Sequence, residues 1–159
     1  VTIVSQLVNR ELIYLKEEGG SKEQLLTNIG QKLFEKGYVR EDFSQALLER
    51  EAEFPTGLQL EKIAIAIPHT YCQYVKRPFI SIVKLLDPVE FIQMGTMDEK
   101  VDVTFIIVLG ITEPKNQTGL LVELMNAFGQ KKFLNQLVRE TDVERMYQLF
   151  NMFKMEEEE

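Results

Sequence analysis

Arg50-Glu51-Ala52-Glu53-Phe54-Pro55-Thr56-Gly57 continues through Leu58–Lys62 into Ile63-Ala64-Ile65-Ala66-Ile67-Pro68-His69. Three kinds of local structure follow one another in this stretch. Arg50 lies near the end of a segment, Arg40 to Glu53, in which Phe43, Ala46, Leu47 and Arg50 recur at helical spacing, and the segment is predicted to be a helix. Phe54–Gly57 reads as a turn, because proline fixes one backbone dihedral and glycine permits unusual ones. Ile63–Ile67 is a short apolar run of the kind that forms a buried strand. Pro68 lacks an N–H and tends to end sheet pairing, which puts His69 just past the strand, at the rim of a sheet. Ligand sites in open α/β sheets favour such rims.

The rest of the chain extends this pattern. Upstream, Leu25, Leu26, Ile29, Leu33 and Phe34 mark an amphipathic helix over Ser21–Lys36, with Ser21 as N-cap and Gly37 as the stop. Downstream, Phe79–Leu85 and Val103–Leu109 are rich in β-branched residues and predict strands. The second is almost continuously apolar, as a central strand covered on both faces should be. After Pro114 helical spacing returns through Leu121, Leu124, Met125 and Phe128, then Phe133, Leu134 and Leu137. A last helix is expected over Asp142–Phe153 with Thr141 as its cap. The expected fold is α/β, a mixed β-sheet flanked by helices on both faces. It forms a single domain over residues 1–159, with an acidic tail from about 154 to 159.

Composition narrows the function classes. The 159 residues are 45% apolar and 27% charged, an ordinary globular balance. The net charge of −7 argues against nucleic acid, whose phosphates are bound by clustered Lys and Arg; Lys76-Arg77 and Lys131-Lys132 make no such stripe. No stretch approaches the roughly 20 consecutive apolar residues of a membrane span, so no direct membrane insertion is expected. No secretory signal is visible at the start, and the lone Cys72 has no internal disulfide partner. A cytoplasmic protein is the simplest reading.

The inventory for chemistry is short. One histidine and one cysteine cannot assemble a typical zinc site, and no metal is expected. There is no glycine-rich phosphate loop and no nucleophile-elbow serine. Cys72 follows His69 by three positions, but a small apolar filler is favoured over a thiol–imidazole pair. Neutral imidazole is a nucleophile with an ordinary pKa of about 6.5. On position alone, His69 is as readily structural as functional. Arg50 has the planar fork that suits a phosphoryl group; the alternative is a surface ion pair with Glu51 or Glu53, worth little. The Thr56 hydroxyl is a candidate further donor.

Ala46-Leu47-Leu48-Glu49-Arg50-Glu51, Pro55-Thr56-Gly57 and Ile63-Ala64-Ile65-Ala66-Ile67-Pro68-His69 together resemble the enzyme IIA domains of the bacterial sugar phosphotransferase system, in the fructose–mannitol class. The order of elements matches over nearly the whole chain. The resemblance implies a phosphoryl relay in which His69 takes phosphate on Nε2 from the phosphohistidine of HPr. It is then passed to a IIB component, and through it serves the membrane IIC permease. Arg50 would lie beside the histidine, with Glu51, Thr56 and Gln117 as phosphoryl-binding candidates; no cofactor is implied. Mannitol- and fructose-type members usually carry a second histidine where this chain has Gln117, which cannot hold a positive charge at neutral pH. Gln117 reads equally well as a plain polar residue in a helix's first turn. That departure, with Glu53-Phe54-Pro55-Thr56-Gly57, makes the chain most similar to galactitol-specific IIA proteins. Phe54, Ile67 and either Met94 or Met97 are the expected docking residues. The alternatives are a regulatory IIA-like protein, nitrogen-type or transcription-linked, signalling through the same histidine, and an α/β binding module with no catalytic role.

Overall fold

The alternation along Ala64–Ile67 organises the molecule: Ala64 and Ala66 face one apolar core, Ile65 and Ile67 the other. In the computed structural model, which describes residues 1–156, these residues lie in a five-stranded mixed sheet. Its strands are β1 (Val8–Glu17), β2 (Gly57–Gln59), β3 (Ala64–Ala66), β4 (Phe79–Ile92) and β5 (Lys100–Gly110), in the order β1-β4-β5-β3-β2. β1 pairs with β4 in parallel and β3 with β5 in parallel, while the β4–β5 and β2–β3 pairs are antiparallel. Helices α2 (Lys22–Glu35) and α3 (Phe43–Glu53) cover the Ala64–Ala66 face through Leu26, Leu33, Phe43 and Leu47. Helices α1 (Ile3–Leu7), α4 (Pro114–Gly129), α5 (Lys131–Arg139) and α6 (Val143–Asn151) cover the other through Val4, Leu124, Leu137 and Phe150. Helices on both faces of a mixed sheet are the expected architecture.

β5 is the strand on which both cores meet: Phe105, Ile107 and Leu109 enter one, Val103, Ile106 and Val108 the other. That explains its unbroken hydrophobicity. Two strands differ from expectation. β1 was not foreseen, because Asn9, Arg10, Glu11, Lys16 and Glu17 surround its two consecutive core residues, Leu12 and Ile13. β4 runs past Asp87-Pro88 to Ile92, since an irregularity between Lys84 and Val89 absorbs the proline.

The helix ends have identifiable causes. Ser21 and Gln24 form a reciprocal capping box, and Gly37 takes a φ of 84° just beyond α2. The cap of α6 is Asp142 rather than Thr141; its carboxylate accepts from Arg145 N–H. At the other end of the chain, the Glu123 carboxylate accepts from the backbone N–H groups of Ile3 and Val4, tying α1 to α4. Of the acidic tail, Lys154 and Glu156 are held: Gln130 donates to the Lys154 carbonyl, and the Glu156 N–H donates to the Asn126 side chain. The remainder, 157–159, lies outside the described residues. Among those described, no helix is long and apolar enough to cross a membrane.

Candidate functional site

His69 is positioned by β5. The chain stays in register with β5 beyond β3, so His69 lies opposite Leu109, and Leu109 N–H donates to the Pro68 carbonyl at 3.0 Å. The N–H that Pro68 lacks is therefore not needed on this side. The ring is half-buried, and its Nδ1 lies 2.8 Å from the Ile67 carbonyl oxygen. A carbonyl can only accept, so Nδ1 carries the hydrogen and the lone pair is on Nε2. Burial lowers the pKa of His69 below 6.5; the Ile67 hydrogen bond opposes this, and the charge of Arg50 adds to the lowering. The result at neutral pH is an uncharged imidazole with one free, nucleophilic nitrogen.

Arg50 comes from the last turn of α3. Its guanidinium carbon lies 3.9 Å from the Phe54 ring centroid and 5.1 Å from that of Tyr71, and Nη1 donates to the Tyr71 hydroxyl at 3.2 Å. Among the described residues Arg50 has no ion-pair partner. The expected alternative, pairing with Glu51 or Glu53, does not occur.

Glu51 is turned the other way. It is buried, and its two oxygens accept from the backbone N–H and the hydroxyl of Thr56, each at 2.7 Å. Burial raises its pKa, against the lowering effect of both Thr56 bonds and of Lys22. Thr56 is 4% exposed and its hydroxyl hydrogen is already given to Glu51. Together the two residues form a brace that closes the turn between α3 and β2. Gly57 follows for a steric reason: a Cβ there would come 2.6 Å from the Ile92 carbonyl oxygen.

The other expected residues separate into two groups. Gln117 is half-buried in the first turn of α4, which starts four residues after β5 ends; it has no side-chain hydrogen bond among the described residues. Phe54, Met94 and Met97 are exposed. Ile67 is fully buried and cannot dock a partner, because strand alternation turns it into the α1/α4–α6 core. Cys72 is half-buried against the same core, in a single 3-10 turn (Cys72–Tyr74), as a filler should be. Sequence reasoning missed Tyr71; nothing in the motif marks it, and only its place two residues after His69 could have drawn notice.

Grooves of about 500 and 580 Å3 lie elsewhere, around α5, α6 and Phe153, while the surface beside Arg50 holds a cleft of about 80 Å3. The volume of the larger grooves carries no chemistry of this kind, whereas His69 and Arg50 do. A shallow setting suits a reacting group brought by a protein better than an enclosed small molecule.

Comparison with known proteins places the chain in a family and matches its fold. The family model described as "Phosphoenolpyruvate-dependent sugar phosphotransferase system, EIIA 2" matches residues 6–152. The PTS system galactitol-specific EIIA component of Escherichia coli (strain K12) is 37% identical over 117 residues, 74% of this chain and 77% of that protein. Transcriptional regulator ManR of Bacillus subtilis (strain 168) is 30% identical over 83% of this chain, but the match spans 19% of the regulator. Among solved structures, the complex of enzyme IIAMTL and phosphorylated enzyme IIBMTL from Escherichia coli superposes with a TM-score of 0.73 at 23% identity, covering 92% of this chain and 100% of that one. At that identity the likeness establishes the fold.

Proposed function

The chain belongs to the EIIA 2 family of the phosphoenolpyruvate-dependent sugar phosphotransferase system, and from that premise we propose that His69 is its phosphate-carrying residue. Nε2 accepts the phosphoryl group from the phosphohistidine of HPr and passes it to a IIB component, which serves a IIC permease in the membrane. The carrier itself works in the cytoplasm. The observation that carries this reading is the tautomer: Nδ1 is committed to the Ile67 carbonyl, and among the described residues Nε2 has no hydrogen-bond partner and Arg50, whose charge acts on the ring, has no ionic one. In the transfer a P–N bond forms at Nε2 as the donor's P–N bond breaks, and its electron pair returns to the donor nitrogen. Catalysis is then positioning and charge stabilisation, with Arg50 holding phosphoryl oxygens. Similarity to the galactitol-specific component supports galactitol-type uptake as the pathway served. Similarity to ManR keeps a signalling role for the same histidine as the second reading.

Incubation with phosphoenolpyruvate, enzyme I and HPr should label the chain with acid-labile phosphate. His69→Gln should abolish labelling, and Arg50→Ala should slow it by about tenfold or more, as the loss of a charged hydrogen-bond donor would. Equal labelling of His69→Gln ends the proposal. Transfer onward to a galactitol-type IIB separates transport from signalling.

A further inference from the structure

Arg50, whose charge acts on His69, holds one group that the carrier chemistry leaves unused. Tyr71 stands 55% exposed on the turn that follows the histidine, so core packing does not explain its presence. Its oxygen accepts from Arg50 Nη1 at 3.2 Å, with its ring against one side of a guanidinium whose other contact is Phe54. A guanidinium has donors and no acceptor, so the phenolic hydrogen is not spent on Arg50. Among the described residues no other hydrogen bond involves the Tyr71 side chain. The arrangement is therefore an O–H held by a cation, with its hydrogen available to an acceptor from outside. Donation from Arg50 polarises that O–H and strengthens what it can give.

Resting on the carrier reading above, we infer that the Tyr71 hydroxyl is a catalytic residue that donates to a phosphoryl oxygen on His69 Nε2. The transferring group has three equatorial oxygens over which charge spreads. Arg50 supplies a charged fork for them and Tyr71 a neutral donor alongside. No proton changes hands: the hydroxyl keeps its hydrogen while the P–N bond at Nε2 forms and the donor's P–N bond breaks.

The test compares wild type with Tyr71→Phe and Tyr71→Ala, using phospho-HPr as donor and rapid quench as readout. Tyr71→Phe keeps the ring against Arg50 and removes only the hydroxyl. Its kcat should fall about tenfold with KM for phospho-HPr within about twofold, the pattern of an interaction made in the transition state. The 31P resonance of its phosphohistidine should also move from the wild-type position. Tyr71→Ala, which loses the ring as well, should be slower still. A Tyr71→Phe protein with wild-type kcat and wild-type 31P shift overturns the inference, even if Tyr71→Ala is slow; a loss confined to KM also overturns it. If wild type itself takes no phosphate on His69, the carrier reading fails first. If wild type labels and Tyr71→Phe equals it, only the role of Tyr71 falls.

Discussion

At the scale of the residue, the molecule has one imidazole, and its surroundings set its charge. Burial first, then Arg50, hold His69 below the ordinary 6.5, against the opposing bond to Ile67. Phosphoryl acceptance should therefore be flat between pH 7 and 8 and decline on acidification with a midpoint below 6.5. A 1H–13C titration checks this directly, because with a single histidine every imidazole signal belongs to His69. A midpoint above 6.5 would contradict the assigned environment. The linkage has the corresponding sign. A depressed pKa contributes stability that is present above the unfolded value and is lost as pH falls through the folded one. His69 and Arg50 stood out as candidates only through the motif that joins them, since alone a histidine past a strand is as readily structural and an arginine at a helix end pairs as readily with Glu51 or Glu53. Glu51 and Thr56 were legible as residues but not in their roles. Only folding shows that a five-residue separation lets the carboxylate reach back to the threonine N–H and hydroxyl. Tyr71 was illegible, because what sets it apart is the cation it touches.

At the scale of the element, the turn from α3 to β2 depends on two residues with separate duties. The Glu51–Thr56 bonds close it, and Gly57 lets it pass under β4. Gly57→Ala brings a methyl to 2.6 Å from the Ile92 carbonyl and 2.8 Å from Val101, both parts of the sheet with little freedom to yield. It should destabilise the fold by about 1–3 kcal/mol, the usual cost of forced overpacking. It should also slow phosphoryl acceptance by displacing Phe54, against which Arg50 rests. Denaturant melts and labelling rates measured together check this, and a variant with wild-type stability would remove the steric account. Helical spacing made α2 and α3 visible, and the unbroken apolar run did so for β5. β1 escaped because a strand flanked by polar residues, with both faces covered at Leu12 and Ile13, shows neither alternation nor a continuous apolar run. The far half of β4 escaped because Asp87-Pro88 is a turn signal that here sits at an irregular point of the β4–β5 pair.

At the scale of the whole molecule, one sheet separates two cores and belongs to both. Ile106 and Ile107 are neighbours in sequence, yet they pack with different sets of helices. Loss of either helix layer exposes one side of every central strand, so the layers cannot melt independently. Leu26→Ala on the buried face of α2 and Leu124→Ala on that of α4 should each cost about 2–5 kcal/mol. Both should lower the midpoint of a single unfolding transition, seen alike by far-ultraviolet circular dichroism and calorimetry. Two resolved transitions in either variant would show that the layers are separate cooperative units.

The short bond from His69 Nδ1 to the Ile67 carbonyl has a consequence for energy transfer. In the proposed carrier role, the hydrogen on Nδ1 would stay in place when Nε2 takes the phosphoryl group, and the ring would become cationic with a backbone dipole to stabilise it. The ring can then depart as neutral imidazole, a far better leaving group than the imidazolate it would otherwise have to be. On that proposal a single backbone oxygen would keep the phosphoryl group reactive after capture, so that the next acceptor could remove it and the traffic could run in either direction.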